Sequence, residues 1–207
     1  MEAQPRSAIF DPQANNPFAQ PKGLLGRIAG RIMLWTNKQD EVVGLVGVRP
    51  GDHVLEVGYG PGGLIRLLAE HTDAASIIGV DPSPAMLKAA TKHNQAGIRS
   101  GRVQLGVGTA DRTGLPDDSV DRVVSVNNVE IWPDVDAGLR ELNRVVRSGG
   151  VVVIAWHGGT SPSRITRSLR LPEDKLGRLE DTLRHHFSDV THAQLSSLDV
   201  FTAVRPR

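Results

Sequence analysis

Apolar and polar positions divide the chain into three stretches. In the first, Leu24, Ile28, Ile32 and Trp35 recur at i, i+4, i+8 and i+11, with Leu25, Ala29 and Met33 beside them and Arg27 and Arg31 facing away. That period predicts a helix over 23–35. A second helix is expected around 37–47, with Asn37 as N-cap, Val42, Val43, Leu45 and Val46 turned inward, and Pro50-Gly51 as its stop. Residues 1–20 carry Pro, Gln, Asn and Ala with isolated Phe10 and Phe18, and read as an irregular arm.

From residue 53 the period changes. Short β-branched runs at 53–58 (HVLEVG), 76–81 (SIIGVD), 102–108 (RVQLGVG), 120–127 (VDRVVSVN) and 151–156 (VVVIAW) predict five strands. Helical stretches fall between them. Residues 61–71 follow the first strand, and 83–97 follow the second, with Ser83 as N-cap, Pro84 in the first turn and Gly97 past the end. Residues 134–150 form another, with Leu139, Leu142 and Val146 on one face and Gly149 as stop. Alternation of this kind argues for βαβ units and a parallel sheet covered on both faces. The last stretch differs. Leu176, Leu179 and Leu183 mark a helix over 172–187, and 190–195 and 198–205 are strand-like runs joined only by Ser196-Ser197, which predicts an antiparallel hairpin. The expected fold is α/β: a three-layer, doubly wound, mainly parallel sheet of about seven strands with a C-terminal antiparallel hairpin. It divides into an N-terminal arm and helical lid over 1–44 and a sheet domain over 45–207.

Composition narrows the chemistry. The 207 residues carry 24 basic and 23 acidic side chains, a net charge of +1, which gives no overall pull toward nucleic acid. The absence of cysteine removes disulfides, thiolate zinc sites, cysteine nucleophiles and cluster-based radical chemistry together. No secretory-type apolar region opens the sequence and no run approaches the ~20 residues of a membrane span, so a cytoplasmic location is expected. Glycine is abundant, 22 residues, and clusters at one place: Gly58, Gly60, Gly62 and Gly63 directly after the first strand.

A strand, a glycine turn, a helix, a second strand and a terminal acid, Asp81, follow one another in order. Glycines let the backbone approach a ligand, the helix N-terminus favours an anionic group, and an acid about 20 residues on can accept both ribose hydroxyls. A nucleoside-containing cofactor is the direct reading; a capped βα turn is the plain one. Gly58, Gly60 and Gly63 satisfy G-x-G-x-x-G, so a nicotinamide dinucleotide is an alternative. Glu56, two residues before the first glycine, Asp111 after the third strand, and the terminal hairpin all oppose it.

Glu56-x-Gly58-x-Gly60-x-Gly62, Asp81 with Met86, Asp111 followed by Leu115-Pro116, the run 117–123, and Arg140-Glu141-Leu142 through Gly149-Gly150 together resemble the successive motifs of class I S-adenosylmethionine-dependent methyltransferases. The resemblance runs from about 45 to 157 and does not cover the first 44 residues. It implies S-adenosylmethionine as cofactor and S-adenosylhomocysteine as product. Glu56 would be among the cofactor-binding residues, the loop Gly58, Tyr59, Gly60 and Gly62 would lie beside the methionine part, and Asp81 on the ribose, with Pro82 and Met86 near the adenine. Ala110, Asp111 and Arg112 would bound the adenine, although a small residue is common where Arg112 stands. Asn127, Asn128 and Trp132 would border the methionine amino group and the methyl.

Methyl transfer from a sulfonium is an in-line displacement in which orientation does most of the work, so a general base is optional. His157, after the fifth strand, and Glu130, after the fourth, are the candidates; a hydrogen-bonded loop histidine is an equal reading of His157. His53 starts a strand at the opposite edge and reads as structural, and His185 with His186 reads as a solvated helix face. No metal-ligand spacing is present. Asn127-Asn128-Val129-Glu130 differs from the sequences associated with nucleic-acid or glutamine methylation, which favours a small-molecule acceptor without separating O-, N- and C-methylation. A non-catalytic cofactor-binding protein stays open, as does a homodimer. The helix over 23–35 is expected to form a lid with Trp35 or Asn37 near the pocket.

Overall fold

A computed structural model of the protein describes residues 39–207; the expected lid, with Trp35 and Asn37, lies outside them. The chain runs α1 (Gln39–Val46), β1 (His53–Val57), α2 (Gly63–His71), β2 (Ser76–Asp81), α3 (Pro84–His93), α4 (Gln95–Arg99), β3 (Val103–Val107) and β4 (Val120–Val126). It continues through a 3-10 turn (Val129–Ile131), α5 (Val135–Val145), β5 (Val146–His157), α6 (Arg164–Arg167), α7 (Glu173–His186), β6 (Ser188–Gln194) and β7 (Leu198–Val204). The strands form one sheet in the order β3-β2-β1-β4-β5-β7-β6. All neighbours are parallel except β5 with β7 and β7 with β6. The expected doubly wound sheet with its terminal hairpin is therefore present.

Strand alternation sorts the core into two layers. On one face Leu55, Val123, Ile154 and Phe201 pack against α5 and α7 through Leu139, Leu142, Leu179 and Leu183. On the other, Val54, Ile77, Val124 and Val153 pack against α1 and α2 through Val42, Leu64, Ile65 and Leu68. Burying each such side chain contributes about 1.5–3 kcal/mol before entropy is counted. Helix starts follow their caps: the Ser83 hydroxyl accepts from the Met86 amide with Pro84 in the first turn, and the Asp134 carboxylate accepts from the Ala137 amide. The expected 44/45 boundary falls inside α1, whose Val42 and Val46 are buried in the same layer as β1.

Four details differ from the sequence reading. The helix over 83–97 is two helices. Asn94 Nδ2 donates to the Gly62 and Ala90 carbonyls and ends α3, while Gly97 lies inside α4, where a Cβ would stand 2.6 Å from Val103. Gly149 does not stop a helix: α5 ends at Val145 and β5 begins at once, with Gly149 at φ 75° beside a register shift against β4. His186 is not on a solvated face, because its Nε2 lies 2.7 Å from Asp136 Oδ1 and ties α7 to α5. The short α6 had no sequence signal strong enough to predict it.

Candidate active site

Strand order reverses between β1, whose chain proceeds to β2 on one side, and β4 on the other. The carboxyl ends of these strands are where open α/β sheets bind ligands. The loop after β1 is built for close approach. Gly58, Gly60 and Gly62 hold φ of 74°, 52° and 82°. A Cβ on Gly58 would stand 2.3 Å from Asn128 Nδ2, and one on Gly62 would stand 2.5 Å from Asn94 Nδ2. A Cβ on Gly60 would meet nothing within 4 Å. Two of these glycines thus admit neighbouring protein, and the middle one faces open space.

Two carboxylates flank that opening. Glu56 is buried and on the α2 side of the sheet; the Ile65 amide in the first turn of α2 bonds to it, and its Oε2 has no hydrogen-bond partner. Burial, reinforced by the negative Asp81, pushes its pKa up to about 8, against the opposing pull of the Ile65 amide. Asp81 is also buried, and accepts the Gly60 amide on Oδ2 and the Ser83 amide on Oδ1, each at 2.9 Å. Burial raises its pKa as well, opposed by those two amides. Each oxygen of Asp81 keeps a second lone pair for an incoming hydroxyl.

The other sequence-predicted residues fall into two groups. Pro82 and Met86 stand half-buried at the start of α3, and Ala110 is buried beneath an exposed Asp111-Arg112 turn. The Arg112 amide is already donated to the Thr109 carbonyl at 3.1 Å. Thr113, next in line, is pinned to Glu141 through its amide at 2.9 Å and its hydroxyl at 2.6 Å. Tyr59 turns inward: its hydroxyl donates to the Gly106 carbonyl at 3.1 Å and burial drives its pKa up, with Asp81 and Glu56 adding to the shift. Asn127 holds φ 55° at the end of β4. Asn128 is committed to the scaffold, donating to the Val57 and Val126 carbonyls and accepting from Ser125 Oγ and Trp132 Nε1. Trp132 stands against Gly138, where a Cβ would lie 2.7 Å from its ring and 3.3 Å from Ala110.

His157 ends β5, buried, with Nδ1 lacking a hydrogen-bond partner and its pKa pushed down by burial. Glu130 is exposed on the 3-10 turn and ion-paired to Lys175 of α7. That pair spans a cavity of about 300 Å³ between the turn and α7, lined by Val129, Glu130, Val135, Leu171, Lys175 and Arg178 among others. Sequence reasoning missed this cavity, because α7 was read only for its apolar stripe. It also missed Asp199, fully buried in β7, which accepts from Gln194 Nε2 at 2.9 Å and lies 3.3 Å from His192 Nε2; an acid inside the apolar run 198–204 was the available signal. Among the described residues no group of three or more His, Asp or Glu could hold a metal, and no helix is long and apolar enough to cross a membrane.

Residues 55–154 match the family model of the methyltransferase domain. YdaC of Bacillus subtilis, an uncharacterised methyltransferase, is 33% identical over 61% of this chain and 69% of its own length. Trans-aconitate 2-methyltransferase of Streptomyces avermitilis is 34% identical over 73% of this chain and 56% of its own. Among solved structures, a phosphoethanolamine N-methyltransferase of Haemonchus contortus with phosphomonomethylethanolamine and S-adenosylhomocysteine bound has a TM-score of 0.68 at 17% identity, covering 87% of this chain and 57% of that one. The fold and the glycine turn define an α/β protein with an opening at Gly60, at the carboxyl ends of β1 and β2. The chain belongs to the class I S-adenosylmethionine-dependent methyltransferases. The nicotinamide and non-catalytic alternatives give way to this assignment. The residues fit the cofactor physically: buried carboxylates beside the loop suit a cationic ammonium and sulfonium and would repel a dinucleotide's pyrophosphate.

Proposed function

We propose that this methyltransferase acts on a small-molecule acceptor, with His157 available as general base. The observation that carries the reading is the opening at Gly60 between the buried carboxylates of Glu56 and Asp81, at the same strand ends as His157. Bound S-adenosylmethionine supplies an electrophilic methyl whose carbon–sulfur bond breaks as the acceptor's lone pair attaches.

The chain's own residues do the rest. Asp81 accepts the ribose hydroxyls, Glu56 places negative charge near the methionine ammonium, and Gly60 leaves room for the ligand to approach the backbone. Ala110, Asp111, Pro82 and Met86 would bound the adenine, and Trp132, packed against Gly138, would wall the pocket. Because burial holds His157 below its usual pKa, its imidazole is neutral at pH 7, the form that takes a proton from a hydroxyl or amine acceptor. A small acceptor is supported by the relative whose named substrate is trans-aconitate. The balanced charge of the chain also argues against a nucleic-acid acceptor.

The test incubates the full chain with tritiated methyl donor and a cell extract separated into small-molecule, protein and RNA fractions. Label in the small-molecule fraction, lost with Asp81→Ala, is the expected result. Label in protein or RNA overturns the acceptor class.

A further inference from the structure

The segment 127–135 works as a partition. On one side Asn128 and Trp132 bond to one another and face Val57, Gly58 and Ala110. On the other, Val129, Glu130 and Val135 face α7 across the cavity. The cavity wall is divided by chemistry: Val129, Val135, Leu171 and Leu179 supply apolar surface, and Lys175 and Arg178 stand one helical turn apart beside it. Two large apolar side chains are exposed among the described residues, Ile131 at 60% and Leu169 at 46%. Both are close in sequence to lining residues, Ile131 following Glu130 and Leu169 two positions before Leu171, and the Leu169 carbonyl accepts from Trp156 Nε1 at 2.7 Å. Between 158 and 172 the chain carries Arg164, Arg167 and Arg170 and no acidic residue, and among the described residues Arg164 and Arg167 are exposed and form no ion pair.

We infer that this cavity binds an apolar molecule carrying a single oxyanion group, with the apolar body on Val129, Val135, Leu171 and Leu179 and the oxyanion on Lys175 and Arg178. The ion pairs seen in its absence are easily exchanged. Glu130–Lys175 and Asp174–Arg178 are both solvent-exposed pairs, a class that contributes little to stability. A ligand oxyanion can therefore replace Glu130 on Lys175 at small cost, while its apolar part gains by leaving water. Lys and Arg side chains suit this position because their methylene stems extend the apolar wall and their heads remain wet.

The test uses two probes with the same aryl frame, 1-anilinonaphthalene-8-sulfonate and the uncharged N-phenyl-1-naphthylamine, titrated by fluorescence into the full chain. The sulfonate is expected to bind at least about tenfold tighter than the neutral probe. In Lys175→Met with Arg178→Met the two affinities converge, and Glu130→Gln, which frees Lys175, strengthens the sulfonate several-fold. Thr182→Trp, placed on the half-buried cavity wall, weakens both probes in a protein whose thermal unfolding is otherwise retained. Equal affinities in the unmodified chain, or sulfonate binding indifferent to Thr182→Trp, overturn the inference. Calorimetry with S-adenosylhomocysteine on the same samples separates the two claims. Failure to bind it would defeat the methyltransferase reading and leave the oxyanion cavity standing, whereas equal probe affinities would defeat only the cavity.

Discussion

The two ends of the same strands treat charge in opposite ways. At the amino ends the half-buried charges have partners. Arg122 Nε meets Asp52 Oδ2 at 2.9 Å, Asp121 accepts the His53 amide and Arg147 at 2.8 Å, and His53 Nδ1 meets Ser76 Oγ at 2.7 Å. Burial pushes the Asp121 pKa up, but the His53 amide and Arg147 outweigh it and the carboxyl ends lower than usual. At the carboxyl ends Glu56 Oε2 and His157 Nδ1 are buried without a hydrogen-bond partner, and both groups are driven toward their neutral forms. One end of the sheet uses its polar groups to hold the fold. The other leaves Glu56 and His157 short of partners, an arrangement that costs stability.

If the amino end is structural, Arg122→Ala should show the largest effect on folding. It strands Asp52 without its partner and should lower unfolding free energy by about 3–5 kcal/mol in denaturant titration, with S-adenosylhomocysteine affinity unchanged in the protein that remains folded. Glu56→Gln should act the other way. The folded pKa of Glu56 lies above its ordinary value, so the native state holds a proton that the unfolded state has lost between about 4.5 and 8. Stability should accordingly fall as pH rises through that window, by on the order of a few kcal/mol, and Glu56→Gln should flatten the slope in thermal melts. A slope unchanged by the substitution would break the contrast at its strongest point.

Asp81→Asn tests the carboxyl end through binding. It removes a charge-assisted acceptor and should weaken S-adenosylhomocysteine by about 1.5–3 kcal/mol, read by calorimetry, with a small effect on melting. For a hydroxyl or amine acceptor, His157→Gln should lower turnover by about 10²-fold or more. The unmodified enzyme should lose activity as pH falls below the ordinary histidine value, because burial sets the His157 pKa lower still. The smallest effect belongs to a charge at neither end. Arg66→Ala, removing an exposed pair at 4.0 Å with Glu70, should change stability by less than about 0.5 kcal/mol.

Much of this was legible in the chain. Period-2 and β-branched runs located all seven strands, because buried parallel strands have little freedom to be polar, and Ser196-Ser197 forced the last two into a hairpin. The order of Glu56, the glycines and Asp81 located the turn that opens at Gly60 beside two buried carboxylates. What failed was tertiary. Gly97 looked like a helix stop, yet its missing side chain answers to Val103 on the next strand. His186 looked solvated because its partner, Asp136, is fifty positions away. Asn128 also closes the seam between β1 and β4 through Val57 and Trp132, a scaffold role with no local signal in the sequence. The cavity beside α7 left no periodic signal, since Lys175 and Arg178 on a helix read equally well as solvated charges.

The central claim is that the buried carboxylates of Glu56 and Asp81 at the carboxyl ends of β1 and β2 hold a cationic cofactor, and calorimetric titration of S-adenosylmethionine against pH addresses it most directly. A positively charged ligand favours ionised Glu56, so affinity should rise between about pH 6 and about pH 9 with protons released on binding below the Glu56 value, and Glu56→Gln should abolish both the rise and the release. Affinity independent of pH, with no protons exchanged and no change in Glu56→Gln, would contradict the account.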